Sequence, residues 1–332
     1  MEKSIQGYIG SLKLGEVQKF KNLAMVPVIS DYDDGLDYIT LGEALSAGSI
    51  EIREVSEGGS VPELRVVNRS GKMVLILDGE ELVGAKQNRI VNATILVAAG
   101  ADIVIPVSCV EQGRWTYQSE VFGSKHRVMS PSIRKLKARD INASLRSTGQ
   151  YRSDQSAIWE EVAGLASRRE AVSESMDMDF VFDKEAPVIK EYLEGFALVD
   201  RQVGVVFLVN GKLVGMDAFG NAATFSRVFR NLLESYALDA VDRCGKRCAA
   251  AGDADRQSAD ILAAALSADA EARPSAGLGM DLRLESEKLV GFALEHKGRV
   301  VHICLFPNAG SRKSGDSVRM VRHSMRMRRI RL

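Results

Sequence analysis

The feature that most constrains this chain is a series of short Val- and Ile-rich runs, each ended by turn-forming residues before it can reach helical length. Residues 26–29, 49–55, 64–67, 73–77, 89–97 and 103–110 all lie in the first third of the sequence. Gly58-Gly59, Ser70-Gly71, Asp78-Gly79 and Ala99-Gly100 separate several of them. β-branched side chains suit a pleated surface, and Gly and Asp supply the backbone angles of turns. Strands this short and closely spaced predict a mainly antiparallel sandwich or a partly closed barrel. Pro27 has no N–H to give a ladder, so its run belongs at a sheet edge or strand start. Residues 40–47 predict one short helical stretch crossing the sheet.

The later part of the chain reads differently. Ile158, Val162 and Leu165 recur at helical spacing within 156–169. Pro187 predicts the first turn of a second helix ending near Gly195. Asn210-Gly211, between the apolar runs 203–209 and 212–216, is the dipeptide best suited to a type I′ hairpin turn. A long helix over 222–241 presents Phe225, Phe229, Leu232, Leu233 and Tyr236 on one stripe to pack on that hairpin. Residues 249–272 predict a weakly packed helix, and a last hairpin pairs 289–294 with 299–306 around Lys297-Gly298. The expected fold is therefore α+β: a β-rich unit over 1–123, then an α/β unit of hairpins and helices over 153–308.

Between them, 124–152 carries Lys125, Arg127, Arg134, Lys135, Lys137, Arg139, Arg146 and Arg152 against one acid, Asp140. With almost no strand pattern, it is expected to be a long basic loop or lid with a short helix near Ile133. The stretch 309–332 is expected to be a mobile basic tail, with eight basic residues and one acid after residue 310.

Lys plus Arg and Asp plus Glu balance at 44 each in 332 residues, so no whole-chain field points to nucleic acid or a membrane surface. Four cysteines are too few for a disulfide scaffold. The longest apolar stretch, 95–107, is broken by Gly100 and Asp102, short of the ~18 residues a membrane helix needs. The opening Met1-Glu2-Lys3-Ser4 has no apolar leader run, and a reducing cytoplasm is the expected compartment. Cys244 and Cys248 lack a second pair, while His296, His302, Cys304 and His323 are scattered, so no metal site is expected. No phosphate-loop fingerprint occurs, and the sequence leaves the cofactor unknown. Val- and Ile-rich edge strands are compatible with a homo-oligomer.

Two polar constellations exceed what turns require. The first is Asp78-Gly79-Glu80-Glu81-Leu82-Val83-Gly84-Ala85-Lys86-Gln87-Asn88-Arg89, between two apolar runs. In strand geometry Glu80 and Glu81 point to opposite faces, so one of them enters any given pocket. The second is Val107-Ser108-Cys109-Val110-Glu111-Gln112-Gly113-Arg114-Trp115. Alternation sets Cys109 beside Glu111, with Arg114 and Trp115 just beyond. Cys109 reads as a nucleophile or as a small buried hydrophobe. Glu111 and Arg114 read as a catalytic pair or a structural one. His126 is a general acid or a solvated loop residue.

These motifs, with weaker matches such as Trp159 and the 203–219 hairpin, resemble the ARG-and-rhodanese-phosphatase-superfamily-associated protein domain over about 10–245. The name records association with ADP-ribosylglycohydrolase-type and phosphatase-type proteins. The resemblance implies processing, by hydrolysis, of an ADP-ribose-like or phosphoribosyl nucleotide metabolite. On that basis Glu81, Glu111 and Cys109 are the expected catalytic groups. Glu80, Lys86, Gln87, Asn88, Arg89, Arg114 and Trp115 are the expected ligand-binding ones. Cations and amides suit a pyrophosphate, a carboxylate can move the proton of hydrolysis, and Trp115 can stack on an adenine. A non-catalytic module that binds or assembles around such a metabolite is the alternative. A nucleic-acid partner is disfavoured by the neutral charge balance.

Overall fold

The computed structural model describes residues 3–56, 60, 62–171, 173–175, 177–245 and 253–308. The Gly58-Gly59 turn, Cys248, His323 and the basic stretch 309–332 lie outside these residues. Seven helices and eighteen strands occur among the described residues. The helices are α1 (Lys3–Ser11), α2 (Leu41–Ser46), α3 (Pro131–Thr148), α4 (Gln155–Arg168), α5 (Met178–Glu194), α6 (Ala222–Asp242) and α7 (Ala254–Leu266). No helix among them is long and apolar enough to cross a membrane.

In Ile50–Glu54 and Glu63–Asn68 buried residues alternate with more exposed ones, as in a sheet with one wet face. These strands end a six-stranded sheet in the order Phe122–Gly123, Glu81–Gly84, Arg89–Val91, Asp102–Cys109, Glu63–Asn68, Ile50–Glu54. Its first and last strands come back against each other, nearly closing a barrel around Ile52, Leu64, Val66, Leu82, Val91 and Ile105. The expected antiparallel, partly closed β unit is present. One parallel pairing breaks the rule, Tyr38–Thr40 with Met73–Ile76 in a three-stranded sheet that also holds Ile95–Val97. The single run expected over 89–97 is thus two strands in two sheets, parted at Asn92-Ala93-Thr94 where the chain leaves the barrel.

A nine-stranded sheet forms the other layer. Leu23–Ile29, Gln202–Val209, Lys212–Phe219, Arg299–Pro307, Leu289–His296, Met280–Glu285 and Asp269–Pro274 follow one another across it, and Lys13–Leu14 and Gln18–Phe20 both flank Leu23–Ile29. Strands from before residue 30 therefore share a sheet with strands from beyond 200. Gln202–Val209 is buried along its whole length because both its faces are covered. Val205 and Phe207 face α5 and α6, while Val206 and Leu208 face the side packed by α1 and α7. Both expected hairpins form, with left-handed central residues: Asn210 and Gly211 at φ 51° and 73°, Lys297 and Gly298 at 52° and 73°. Pro27 is accommodated inside the sheet. Its carbonyl accepts from Gly15 N (2.8 Å), so the side of Pro27 that lacks an N–H faces the break between the two short flanking strands.

Three expectations about helices need correcting. Asp177 caps α5 by accepting from Asp179 N, which starts the helix nine residues before Pro187 and leaves that proline inside it. Packing of Val181, Phe182 and Ile189 against α6 offsets the hydrogen bond the proline cannot make. The helix expected over 249–272 ends as α7, and Asp269–Pro274 becomes the edge strand of the large sheet. The basic segment is not a loop: α3 runs for 18 residues with a left-handed Gly149 as its C-cap.

Arg134 and Lys137 of α3 are fully buried, and their position explains why the helix is there. Arg134 donates to both carboxylate oxygens of Asp217 (2.7 and 3.0 Å) on the large sheet and approaches Asp78 on the barrel side (3.4 Å). Lys137 donates to Asp78 and to the carbonyl of Val91 (2.5 Å). Gly79, at φ 77°, gives the arginine its room, since a Cβ there would sit 2.9 Å from Arg134 Cγ. Burial alone would raise the Asp217 carboxyl, but Arg134 and His302 hold it well below the usual carboxylate range. His302 also fits one protonation pattern that leaves no group unspent. Its Nε2 donates to Asp217 (3.2 Å), its Nδ1 accepts from Thr94 (2.8 Å), and Thr94 Oγ1 accepts from Asp78 N (3.1 Å).

Removing one partner from such a pair leaves a buried charge unmatched. Arg134→Met is expected to cost about 3–5 kcal/mol of unfolding free energy, measured by urea denaturation. A loss below about 1 kcal/mol would mean that α3 is held by its apolar contacts alone.

Candidate functional site

The two polar motifs do fold together. Arg89 and Cys109 are opposite residues on neighbouring strands, and Asn88 N donates to Glu111 Oε2 (3.0 Å). Their side chains then largely satisfy one another. Arg114 holds Glu111 with both Nε (2.8 Å) and Nη2 (2.5 Å), and clamps the 84–88 turn through the carbonyl of Ala85 (2.6 Å) and Asn88 Oδ1 (3.2 Å). Asn88 Oδ1 also accepts from Gly84 N (3.1 Å), while Asn88 Nδ2 donates to Asp177 (3.2 Å). The fully buried Arg89 donates to Gln87 Oε1 (2.9 Å) and to Cys109 Sγ (2.8 Å). Burial pushes the Cys109 thiol up to about 11 despite the nearby Arg89, so it is poorly prepared to act as a thiolate.

Glu81 and Glu80 diverge, as alternation requires. Glu81 is fully buried with neither oxygen hydrogen-bonded. Burial, reinforced by Asp177, pushes its carboxyl up to about 8 against the pull of Arg127 and Lys125. Lys86 and Arg89 each lie 5.6 Å from the centre of the Trp115 ring, so cations already engage the surface expected to stack on an adenine. Several other cations of the segment expected to be a lid are occupied too. Arg127 and Lys125 bind Asp179 and Asp183, and Arg146 binds Glu285.

Glu80 behaves differently. It lies at a cavity of about 640 Å³ between α2, the strand Met73–Ile76, the 126–128 segment and α6, bordered also by Thr40, His126, Arg227 and Asn231. The Leu77–Glu80 turn sets the carboxylate in place: Glu80 N donates to Leu77 O (3.2 Å), and Glu80 Oε2 accepts from Leu77 N (3.0 Å). Burial pushes its carboxyl up to about 7, the Leu77 N–H opposing the shift. A carboxyl near neutrality inside a cavity is suited to exchanging protons at physiological pH.

His126 is delivered to the same cavity by backbone pairing of the residues that follow it. Glu81 N donates to Arg127 O (2.9 Å), and Met129 N donates to Gly79 O (2.8 Å). The residue is left-handed (φ 61°), a conformation that costs a non-glycine residue free energy and that its neighbours must hold. Its ring lies over Gly42, where any Cβ would come within 2.8 Å of Nδ1. At the rim, Arg227 Nε contacts Glu43 Oε1 (2.8 Å), joining α6 to α2. The other Glu43 oxygen completes a capping box with Thr40. Thr40, Arg227 and Asn231 went unnoticed in the sequence as site residues. In the sequence, Thr40 stands only at the start of the short helical stretch expected over 40–47.

The fold and cavity can be set beside known proteins. Residues 11–306 match the family model of the ARG and Rhodanese-Phosphatase-superfamily-associated Protein domain. The chain belongs to this family. The match extends the resemblance read from the sequence beyond residue 245 to take in the last hairpin, consistent with that hairpin lying inside the large sheet. No curated protein and no solved structure matches the chain. Among the described residues of this family member, no three His, Cys, Asp or Glu side chains converge as a metal ion would need.

The raised carboxyls have a measurable consequence. The folded chain keeps a proton on Glu81 until about pH 8, whereas an unfolded glutamate releases it near 4.5. The stability that depends on this proton is complete below about pH 4.5 and lost as pH climbs through 8. Glu81→Gln, which cannot ionise, is therefore expected to gain stability relative to the wild type from pH 5 to about pH 8 and to hold that gain level above it. Parallel stability–pH curves for the two proteins would show that Glu81 is not held neutral in the fold.

Proposed function

We propose that the protein hydrolyses a small phosphorylated metabolite of the ADP-ribose or phosphoribosyl type in the Glu80 cavity. The observation that carries this reading is a carboxyl raised to about 7 in a cavity that also presents an imidazole, an amide and a guanidinium. Glu80 takes a proton from water as the water oxygen attacks the scissile centre. His126 gives a proton to the departing oxygen, so one proton enters the protein and one leaves it. Arg227, released from Glu43, and Asn231 hold the phosphate. In this reading Glu111, Arg114, Asn88 and Cys109 brace the barrel strands and the 84–88 turn rather than react. The substrate class follows from the family resemblance, and a low cysteine content favours work in a reducing cytoplasm.

A second reading, a module that binds such a metabolite without cutting it or organises an assembly around it, has its own support. Arg114, Asn88 and Gln87 are spent within the two motifs, and Arg227 is already paired.

The discriminating experiment incubates the protein with ADP-ribose, NAD and ribose phosphates at several pH values and assays for products. Glu80→Gln is expected to lower turnover by about 10²–10⁴-fold without unfolding the chain. Because the base must be ionised and the acid must still carry its proton, wild-type turnover is expected to follow a bell-shaped pH profile, rising with pH through about 7 and falling once His126 no longer holds the proton it donates. Saturable binding with no product from any of the compounds would remove the hydrolase reading and leave the binding module.

A further inference from the structure

Two cations of α3 meet no carboxylate among the described residues. Arg134, Lys137 and Arg146 all pair with acids. Lys135 has no such partner, and Arg139 has only the neutral Oδ1 of Asn308 (2.8 and 3.2 Å). Lys135 and Arg139 lie one turn apart and therefore share a face of the helix. A third cation is brought beside them by α6. Ser132, three residues before Lys135, donates to Asp239 Oδ1 (3.0 Å), whose other oxygen accepts from Arg243 Nη2 (2.8 Å). Asp239 is buried and already engaged by these two groups, while Asp140 is turned to Asp154 N (3.2 Å). Burial, together with the like charges of Arg139 and Arg243, presses the Lys135 ammonium down to about 8. The cations crowd one another with too little negative charge between them.

This patch lies at Asn308, the last of the described residues, and the sequence beyond it carries seven arginines, one lysine and one aspartate. The balance of 44 against 44 that disfavours a nucleic-acid partner is a property of the whole chain. Folding gathers unmatched cations at one place. An anion that complements them must supply several charges in a row, because the cations stand on separate segments. Guanidinium groups present a planar edge that matches phosphate oxygens. Among the described residues no exposed large hydrophobic side chain belongs to α3, to the end of α6 or to the last strand, so this surface has nothing to insert into a bilayer. Residues 309–332 contain no Phe, Trp or Tyr on which an unpaired base could stack. A duplex, with its bases already stacked and its phosphates facing outward, needs neither.

We propose that Lys135, Arg139 and Arg243 form a docking surface for the phosphate backbone of a nucleic-acid duplex, with the basic residues beyond 310 adding to its charge. This surface is separate from the Glu80 cavity and requires no turnover. Fluorescence anisotropy tests it, using two labelled duplexes of about 20 base pairs and unrelated sequence, the full-length protein, and salt between about 50 and 200 mM. Both duplexes are expected to bind alike. The logarithm of the affinity is expected to fall with the logarithm of salt at a slope of about −3 or steeper, close to one unit for each phosphate contact. The double variant Lys135→Gln, Arg139→Gln is expected to make that slope shallower by about 2. Should it fail to fold, Arg139→Gln alone, at an exposed position, is expected to remove about 1. Glu80→Gln is expected to bind as the wild type does, so this surface and the hydrolase reading are judged separately. No binding, a strong preference for one of the two sequences, or a slope unchanged in both variants would overturn the proposal. Binding of poly-glutamate or of phosphatidylserine vesicles as tight as that of the duplex would overturn it too.

Discussion

The buried ion network of Asp78, Arg134, Lys137, Asp217 and His302 is the interaction on which the other arrangements depend. Asp78 belongs to the turn below the barrel, Asp217 and His302 to the large sheet, and the two cations to α3 between them. Charges withdrawn from water are expensive, and mutual attraction repays the cost only when geometry and hydrogen bonding are nearly complete. Such a network is therefore weak as a source of net stability and strong as a constraint on position. It allows one arrangement of barrel, helix and sheet, because any slip strands a charge.

That constraint passes directly to the candidate site. Asp78 and Gly79, fixed by Lys137, Thr94 and Arg134, lead straight into Glu80, whose carboxylate folds back on Leu77 N. The 126–129 segment pairs with the same turn and brings His126 to the cavity. A glutamate in a turn anchored from three sides has little freedom to move toward solvent. Its burial, and hence its raised proton affinity, is a property of the whole assembly.

Much of the architecture was legible because local chemistry and global fold agree. Asn210-Gly211 and Lys297-Gly298 mark hairpins wherever they stand between apolar runs, and the stripe from Phe225 to Tyr236 has one way to bury itself. The failures share a physical cause. In α3 the positions that face inward include Arg134, Lys137 and Asn142 beside Ile133, Ile141 and Leu145, so the apolar periodicity is diluted by polar residues whose partners lie far along the chain. Pro187 signalled a helix start, but the Asp177 cap and the apolar face of α5 outweighed it. Residues 89–97 looked like one strand because no breaker interrupts them, and only the neighbouring strands divide them.

By itself, the sequence determined the α+β class, the hairpins and the family; the two polar motifs came together only once their strands paired. It also determined that Glu80 and Glu81 would part company, since side chains alternate along extended backbone. Tertiary structure decided which carboxylate meets a cavity and which is sealed away. It decided as well that Arg114 would be spent on Glu111, and that basic residues resembling a lid would become the core of a helix. The reason is that an ionisable side chain's role depends on what faces it. For Glu80, Glu54, Arg89 and Arg134, part or all of what faces them comes from strands and helices distant in the sequence, brought near only by folding.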